Sequence, residues 1–230
     1  MSFYIGLSIV STDHADRITA RKHSSAEARR ILALLHGSSP DTGIAVEDGG
    51  RPYFTKHESG FSMTHCGALT AVSYAKGKDL RTGCDAERIR PRSGAAAIAE
   101  TFFSPNENNY LYKTGKFDYT EFYKIWTLKE CFIKLKGLSV FDMPLVPSFI
   151  SESLQFEFCP LEKNDDNPLP LFFRLYELSD SHKQFTLAAG FEGSEQPPEI
   201  IWFSQSSLVC KIIAEIKAAP RPAQTVSPKR

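Results

Sequence analysis

Asp85 and Glu87, in the run Gly83-Cys84-Asp85-Ala86-Glu87, stand two residues apart in a segment, 80–87, whose pattern reads as a β-strand. Side chains alternate along a strand, so both carboxylates share one face, with their Cα atoms roughly 7 Å apart. Two like charges so placed repel unless they reach water, one takes a proton, or a cation joins them. Hard carboxylate oxygens suit Mg²⁺, which takes one or two of them and fills its shell with water and substrate phosphate. A solvated strand edge is the competing reading of this pair taken alone.

The segment 126–137, Trp-Thr-Leu-Lys-Glu-Cys-Phe-Ile-Lys-Leu-Lys-Gly, says more. At about 100° per residue, Phe122, Ile125, Trp126, Leu128, Phe132, Ile133 and Leu135 fill one broad apolar arc, and Glu130, Lys134 and Gly137 cluster at a single edge of it. Lys129 falls inside the arc, where an ammonium is costly without an anionic partner or a route to solvent. An i,i+4 ion pair would account for Glu130 and Lys134, and snorkelling for Lys129. An anion site at the edge of the arc accounts for all three together, with Lys129 expected to reach a phosphate oxygen or the Glu130 carboxylate.

Other candidates are weaker singly. Thr64 and His65 stand just before a strand, and Gly50-Arg51-Pro52 puts a guanidinium on a tight turn. Such a turn suits planar phosphate recognition as well as it suits solvent. Arg29 and Arg30 follow the first turn of an early helix, with Arg17, Arg21 and Lys22 just upstream. Most such charges form a solvated face.

These groups need a frame. An opening strand at 3–10 leads to a helix at 25–35, with Ser24 as N-cap, Glu27 at N3 and Gly37 past the end. Residues 61–75 read as a turn and a strand, with 80–87 as its hairpin partner through Lys76-Gly77-Lys78. A helix at 95–103 and a start at Ser104-Pro105-Asn106-Glu107, with Pro at N1 and Glu at N3, precede a long helix over 119–136 closed by Gly137. Strands are expected at 154–159, 171–178, 184–190 and 200–203, a turn at 164–168, a last helix at 206–217 and a frayed tail beyond. Short strand-to-strand links favour an α+β fold with mainly antiparallel sheets.

With 42% hydrophobic residues, 230 residues can bury one core or two small ones sharing an interface. Lys+Arg and Asp+Glu balance at 27 each, so no global field draws the chain to nucleic acid or to an anionic membrane. An anionic ligand must be held by a local cluster. The first ten residues lack the basic region of a signal peptide, and no apolar run approaches the roughly 20 residues of a membrane span. Five cysteines, odd in number and without a C-x-x-C pair, read as reduced thiols of a cytoplasmic protein and disfavour structural zinc.

Taken in order, Gly50-Arg51-Pro52, the stretch 61–66, the stretch 83–87 and the stretch 126–137 resemble the phosphopantetheinyl transferases of the larger, surfactin-synthetase-activating class. That family carries Gly-Lys-Pro, Phe-Asn-x-Ser-His-Ser, Gly-x-Asp-x-Glu and Trp-x-x-Lys-Glu-x-x-x-Lys-x-x-Gly in the same order. The resemblance implies two similar α+β halves, residues 1–103 and 104–217, related by a pseudo-twofold axis, with coenzyme A in the cleft between them; the proline-bearing stretch 218–230 reads by its own residues as a flexible tail. It implies that Asp85, Glu87 and Glu130 hold Mg²⁺, and that Lys129 and Lys134 neutralise phosphate charge. Arg51, Thr64 and His65 would hold the nucleotide end, His65 at the 3′-phosphate with Arg30 assisting. Glu107 also matches a family position, one that its capping-box role already explains. The departures are Cys84 and Ala86 beside the acidic pair, Ser62 for Asn, and Thr64-His65-Cys66 for Ser-His-Ser. None removes a metal ligand or a charge.

The implied function is transfer of the 4′-phosphopantetheine moiety of coenzyme A to a serine of an apo acyl or peptidyl carrier protein. It is Mg²⁺-dependent, releases 3′,5′-ADP, and makes Glu130 the candidate acceptor of the serine proton. A monomer in the cytoplasm, with no nucleic-acid or membrane partner, is expected. The alternatives are a Mg²⁺-dependent pyrophosphate hydrolase acting on coenzyme A-like nucleotides, and a non-catalytic paralogue that binds carrier proteins or coenzyme A.

Overall fold

Alternation along the opening strand sends Phe3, Ile5 and Leu7 to one face, where all three are buried. The computed structural model describes residues 2–9, 16–37, 43–47, 50–56, 58–78, 80–150, 171–179, 183–193, 198–204 and 209–218. In chain order these form β1 (Ser2–Ile9), α1 (Arg17–His36), β2 (Ile44–Val46), β3 (Pro52–Phe54), β4 (Gly60–Cys66), β5 (Leu69–Lys76) and β6 (Thr82–Arg88). Then come α2 (Ala95–Phe102), α3 (Pro105–Leu111), α4 (Tyr119–Lys136), a 3-10 turn at Val140–Leu145, β7 (Leu171–Ser179), β8 (Gln184–Glu192), β9 (Glu199–Trp202) and β10 (Val209–Ala218).

Two four-stranded sheets run β4-β5-β1-β9 and β10-β7-β8-β6, beside a small β2-β3 hairpin. Their pairs are antiparallel except β1 with β9, as an α+β fold with mainly antiparallel sheets requires. Phe3, Ile5, Leu7 and Ala71 of the first sheet meet Phe172, Tyr176, Leu187 and Phe191 of the second in one core. On the outer side of the first sheet, Ala28, Ile31 and Leu32 of α1 cover Val72 and Tyr74. On the outer side of the second, Leu128, Phe132 and Leu135 of α4 cover Phe173, Leu175 and Ala188. The order of layers is helix, sheet, sheet, helix. The expected halves exchange strands: β6, from 1–103, pairs with β8, and β9, from 104–217, pairs with β1.

Three expected elements change. The helix expected at 25–35 starts at Arg17, because Asp16 accepts hydrogen bonds from the amides of Ile18 and Thr19 at 2.8 and 2.9 Å and nothing in 17–24 breaks a helix. Ser24, the expected cap, is buried within it. The segment 80–87 is not the hairpin partner of the strand before it. β5 turns back on β4 through Gly67, whose φ of 57° a glycine adopts at no steric cost, and β6 crosses to the second sheet. The helix expected at 206–217 is strand β10, added to the free edge of β7 with a register shift between Ile212 and Ala214. Its Val209, Ile212, Ile213 and Ile216 are β-branched and suit a pleated edge. The strand expected at 154–159, the turn at 164–168 and the tail beyond Ala218 lie outside the described residues.

The remaining helix signals hold. Ser104 and Glu107 form a capping box, and Asp118 caps α4, accepting from Thr120 and Glu121. Gly137 closes α4 with a φ of 70°. None of the described helices is long and apolar enough to cross a membrane.

One contact fixes α4 against β6. A Cβ on Gly83 would lie 2.3 Å from the Cys131 carbonyl oxygen and 2.7 Å from the Leu135 amide nitrogen. Both are backbone atoms of a packed helix, which cannot give way cheaply. Gly83→Ala is therefore expected to destabilise the protein by about 1–3 kcal/mol through overpacking. A shift of the urea midpoint at constant slope measures it, and an unchanged midpoint would contradict this account of the contact.

Candidate active site

β4, an edge of the first sheet, lies along β6, an edge of the second. Ser62, Thr64 and Cys66 alternate toward β6, and each meets it. Ser62 Oγ accepts from the Cys84 amide at 3.2 Å, Thr64 Oγ1 donates to Asp85 Oδ1 at 3.1 Å, and Cys66 Sγ lies 3.8 Å from Glu87 Oε2. From the helix side, Lys134 Nζ reaches the same Asp85 Oδ1 at 2.6 Å. Asp85 is 6% exposed, and its other oxygen, Oδ2, is buried without a hydrogen-bond partner among the described residues. A buried carboxylate oxygen left unpartnered is strongly disfavoured.

The electrostatics follow from this crowding. Burial first, and the Asp85 charge second, push the Glu87 carboxyl up to about 7. The same two causes raise Glu130. Burial pulls Lys134 down, but Asp85 overcomes it and holds the ammonium charged, above the usual lysine range. Burial and Glu87 push the Cys66 thiol up to about 12, so it stays protonated. The Asp85 charge thus adds to burial in disfavouring the ionised forms of Glu87 and Glu130, and the Lys134 ammonium opposes it at both.

Their donor chemistry fits a hard divalent cation. Asp85 Oδ2 lacks a partner, and Glu87 and Glu130 are the two groups that such a charge would relieve. Among the described residues no three His, Cys, Asp or Glu side chains stand together closely enough to hold a metal ion; Lys134 lies against Asp85 instead.

The two residues of the Thr64-His65 pair part company. Period 2 sends Thr64 toward Asp85, while His65 is exposed at the end of the face that Phe61 and Met63 pack against α1. Burial, then the charges of Arg21 and Lys134, lower the His65 pKa. Arg51 borders a cavity of about 340 Å³ with Glu47, Tyr53, Phe61 and Arg81, and its side chain lies beside Gly137 at the end of α4. A second cavity, of about 650 Å³, runs along α1 over Ile18, Arg21, Lys22, Ser25 and Arg29. Arg30 is not on that face: it makes two 2.7 Å contacts to Glu27 and sits 5.9 Å over the Phe203 ring. Arg21 is the α1 arginine whose charge reaches His65. The i,i+3 spacing of Glu27 and Arg30 was the signal that Arg30 is already engaged.

Lys129 also differs from expectation. It is 1% exposed and turns away from Glu130, with Nζ 3.1 Å from Glu107 Oε2 and 3.5 and 3.4 Å from the carbonyl oxygens of Val146 and Pro147. Glu107, fully buried, also accepts from the Ser104 and Phe149 amides at 2.7 Å each. The physical reason is angular: a side chain inside the apolar arc of α4 points into the core, where the capping carboxylate of α3 supplies the anion.

A family model described as the 4′-phosphopantetheinyl transferase superfamily matches residues 81–188, a span that includes β6 and α4. A 4′-phosphopantetheinyl transferase of Bacillus subtilis is 32% identical over 165 residues, 70% of this chain and 70% of that protein. The chain belongs to the 4′-phosphopantetheinyl transferase superfamily. A second transferase of Bacillus subtilis (strain 168), Sfp, is 28% identical over 151 residues, 65% of this chain and 64% of that protein. The transferase AcpT of Escherichia coli (strain K12) is 31% identical over 131 residues, 56% of this chain; the match spans 66% of that relative's length. This superfamily of transferase enzymes is the one that the four ordered motifs resemble.

Two outcomes test the geometry. Lys129→Met leaves Glu107 buried without its cation and is expected to cost about 3–5 kcal/mol of stability. Adding Glu107→Gln should return part of it. Chemical denaturation of the single and double variants measures both, and a single variant as stable as the wild type would remove the ion pair from the account. The second outcome is a pH dependence. Glu87 titrates near 7 in the folded chain against an ordinary 4.5. Between those values the folded state holds a proton that the unfolded state has lost, so stability falls as pH rises through the window. Glu130 acts in the same direction. In EDTA, the wild type should lose stability between pH 5 and pH 8, and Glu87→Gln should flatten the decline. An identical slope in the variant would refute the assignment.

Proposed function

We propose that the protein transfers the 4′-phosphopantetheine moiety of coenzyme A to a serine of an apo acyl or peptidyl carrier protein, with Mg²⁺, releasing 3′,5′-ADP. The observation that carries this reading is the buried Asp85 carboxylate, one oxygen bound by Thr64 and Lys134 and the other unpartnered, beside Glu87 and Glu130. Family membership supplies the reaction class. In this reading the chain acts as a monomer in the cytoplasm.

Asp85, Glu87 and Glu130 would hold Mg²⁺. When bound, the ion neutralises charge that develops on the pyrophosphate oxygens of the leaving group. The chain's own groups do the rest. Lys134, kept charged by Asp85, sets a cation at the rim of the carboxylate cluster for phosphate oxygens. Arg51, with Arg21 in place of Arg30, would supply positive charge at the 3′-phosphate end, where His65, its pKa lowered by burial and by Arg21, would donate a hydrogen bond. The serine hydroxyl oxygen bonds to the β-phosphorus of coenzyme A, the bond from that phosphorus to the bridging oxygen breaks, and 3′,5′-ADP departs. Glu130 takes the hydroxyl proton, directly or through water. Lys129 holds α3 and the 146–149 segment against α4 and acts on the reaction only through that packing.

Mass spectrometry of an apo carrier protein after incubation with coenzyme A, Mg²⁺ and this protein tests the proposal. The carrier should gain one phosphopantetheine, and 3′,5′-ADP should appear in equal amount. Asp85→Asn should abolish the gain while the variant stays folded. Coenzyme A cleaved with no mass added to the carrier would replace transfer by hydrolysis. Intact coenzyme A with unmodified carrier would overturn the reading.

A further inference from the structure

The conversion of Ser to Thr at position 64 lies at a contact that the nucleotide-end assignment of this residue does not explain. Thr64 is 6% exposed, and its hydroxyl donates at 3.1 Å to Asp85 Oδ1. Lys134 donates to the same atom at 2.6 Å. A carboxylate oxygen offers about two lone-pair sites, so these two donors saturate Oδ1. Oδ2 remains buried and, among the described residues, without a partner. Burial of both Thr64 and Asp85 leaves the carboxyl little freedom to exchange its two oxygens by rotation. Alternation along β4 meanwhile puts the side chain of Thr64 on the opposite face from His65.

We propose that Thr64 is a positioning residue for Asp85: its hydroxyl, together with the Lys134 ammonium, occupies Oδ1 and leaves Oδ2 as the oxygen presented to a divalent cation. The inference rests on the carboxylate site proposed above and assigns Thr64 to the metal rather than to the nucleotide. Groups that orient a ligating carboxylate typically change metal affinity by about 10–100-fold when removed. The methyl group of threonine adds a preference that serine lacks, because branching at Cβ restricts χ1 and holds the hydroxyl in place.

The test measures Mn²⁺ binding to the full chain without coenzyme A or carrier, read from the loss of the free-ion electron paramagnetic resonance signal, with Mg²⁺ as competitor. Thr64→Val and Thr64→Ala both lack the hydroxyl and should weaken binding by about 10–100-fold; Thr64→Ser should retain most of the affinity. Having two hydroxyl-free variants keeps the comparison available if valine disturbs folding. A purely structural role would lower the melting temperature of the metal-free variants and leave affinity alone. In transfer assays, the Mg²⁺ concentration for half-maximal rate should rise in Thr64→Val while the KM for coenzyme A stays near that of the wild type. Wild-type affinity in Thr64→Val, equal losses in Thr64→Ser and Thr64→Val, or no cation binding by the wild type would overturn the proposal. A rise confined to the KM for coenzyme A would return Thr64 to the nucleotide. Thr64-dependent cation binding in a protein that modifies no carrier would leave this inference standing and remove the transferase reading.

Discussion

The near-contact of α4 with β6 at Gly83 is the constraint on which the rest of the site depends. With no side chain at that position, the helix backbone comes within van der Waals distance of the strand. Only at that separation can Lys134, one turn beyond Glu130, lay its ammonium on Asp85. A side chain at Gly83 would lift the edge of α4 and move both Glu130 and Lys134 away from the strand's carboxyls. The glycine of the Gly-x-Asp-x-Glu run is thus a packing requirement, and the two acids that follow it are placed by the same contact.

The exchange of strands between the sheets gives that contact its setting. β6 belongs to the first half of the sequence and to the second sheet, so one of its edges is taken by β8 and the other faces β4. That second edge is where Ser62, Thr64 and Cys66 meet Cys84, Asp85 and Glu87 in a row. Enclosure between β4 and α4 is the first cause that raises Glu87 and Glu130, while Asp85 keeps Lys134 charged against the same enclosure. A pair of carboxylates on an exposed hairpin would have been solvated and would have ordinary acidity.

The second buried ion pair serves a different end. Glu107 caps α3, receives the Phe149 amide and neutralises Lys129, so one carboxylate ties α3, α4 and the strap after the 3-10 turn together. Lysine and glutamate at that depth persist because each satisfies the other and because backbone groups take up the remaining bonding capacity. The Trp-x-x-Lys-Glu run therefore combines two neighbouring residues with opposite destinations: Lys129 goes to the core and Glu130 to the carboxylate cluster.

The sequence alone determined the shared face of Asp85 and Glu87, the apolar arc of α4 with Glu130 and Lys134 at its edge, the caps at Ser104 and Gly137, and the ordered motifs that identify the superfamily. Each depends on local periodicity or on side chains a few residues apart. What came only with the tertiary structure were interactions between segments distant in sequence. The partner of Lys129 is 22 positions away on α3, the partner of Thr64 is on another sheet, and β6 chose β8 over the neighbouring β5. The misread end of the chain has the same origin: the β-branched run from Val209 takes its conformation from the open edge of β7, which no window of local sequence contains. Arg30 was local after all, because Glu27 three residues earlier had already engaged it. Local spacing reports which face a side chain occupies; what waits on that face is decided by the packing of sheets and helices.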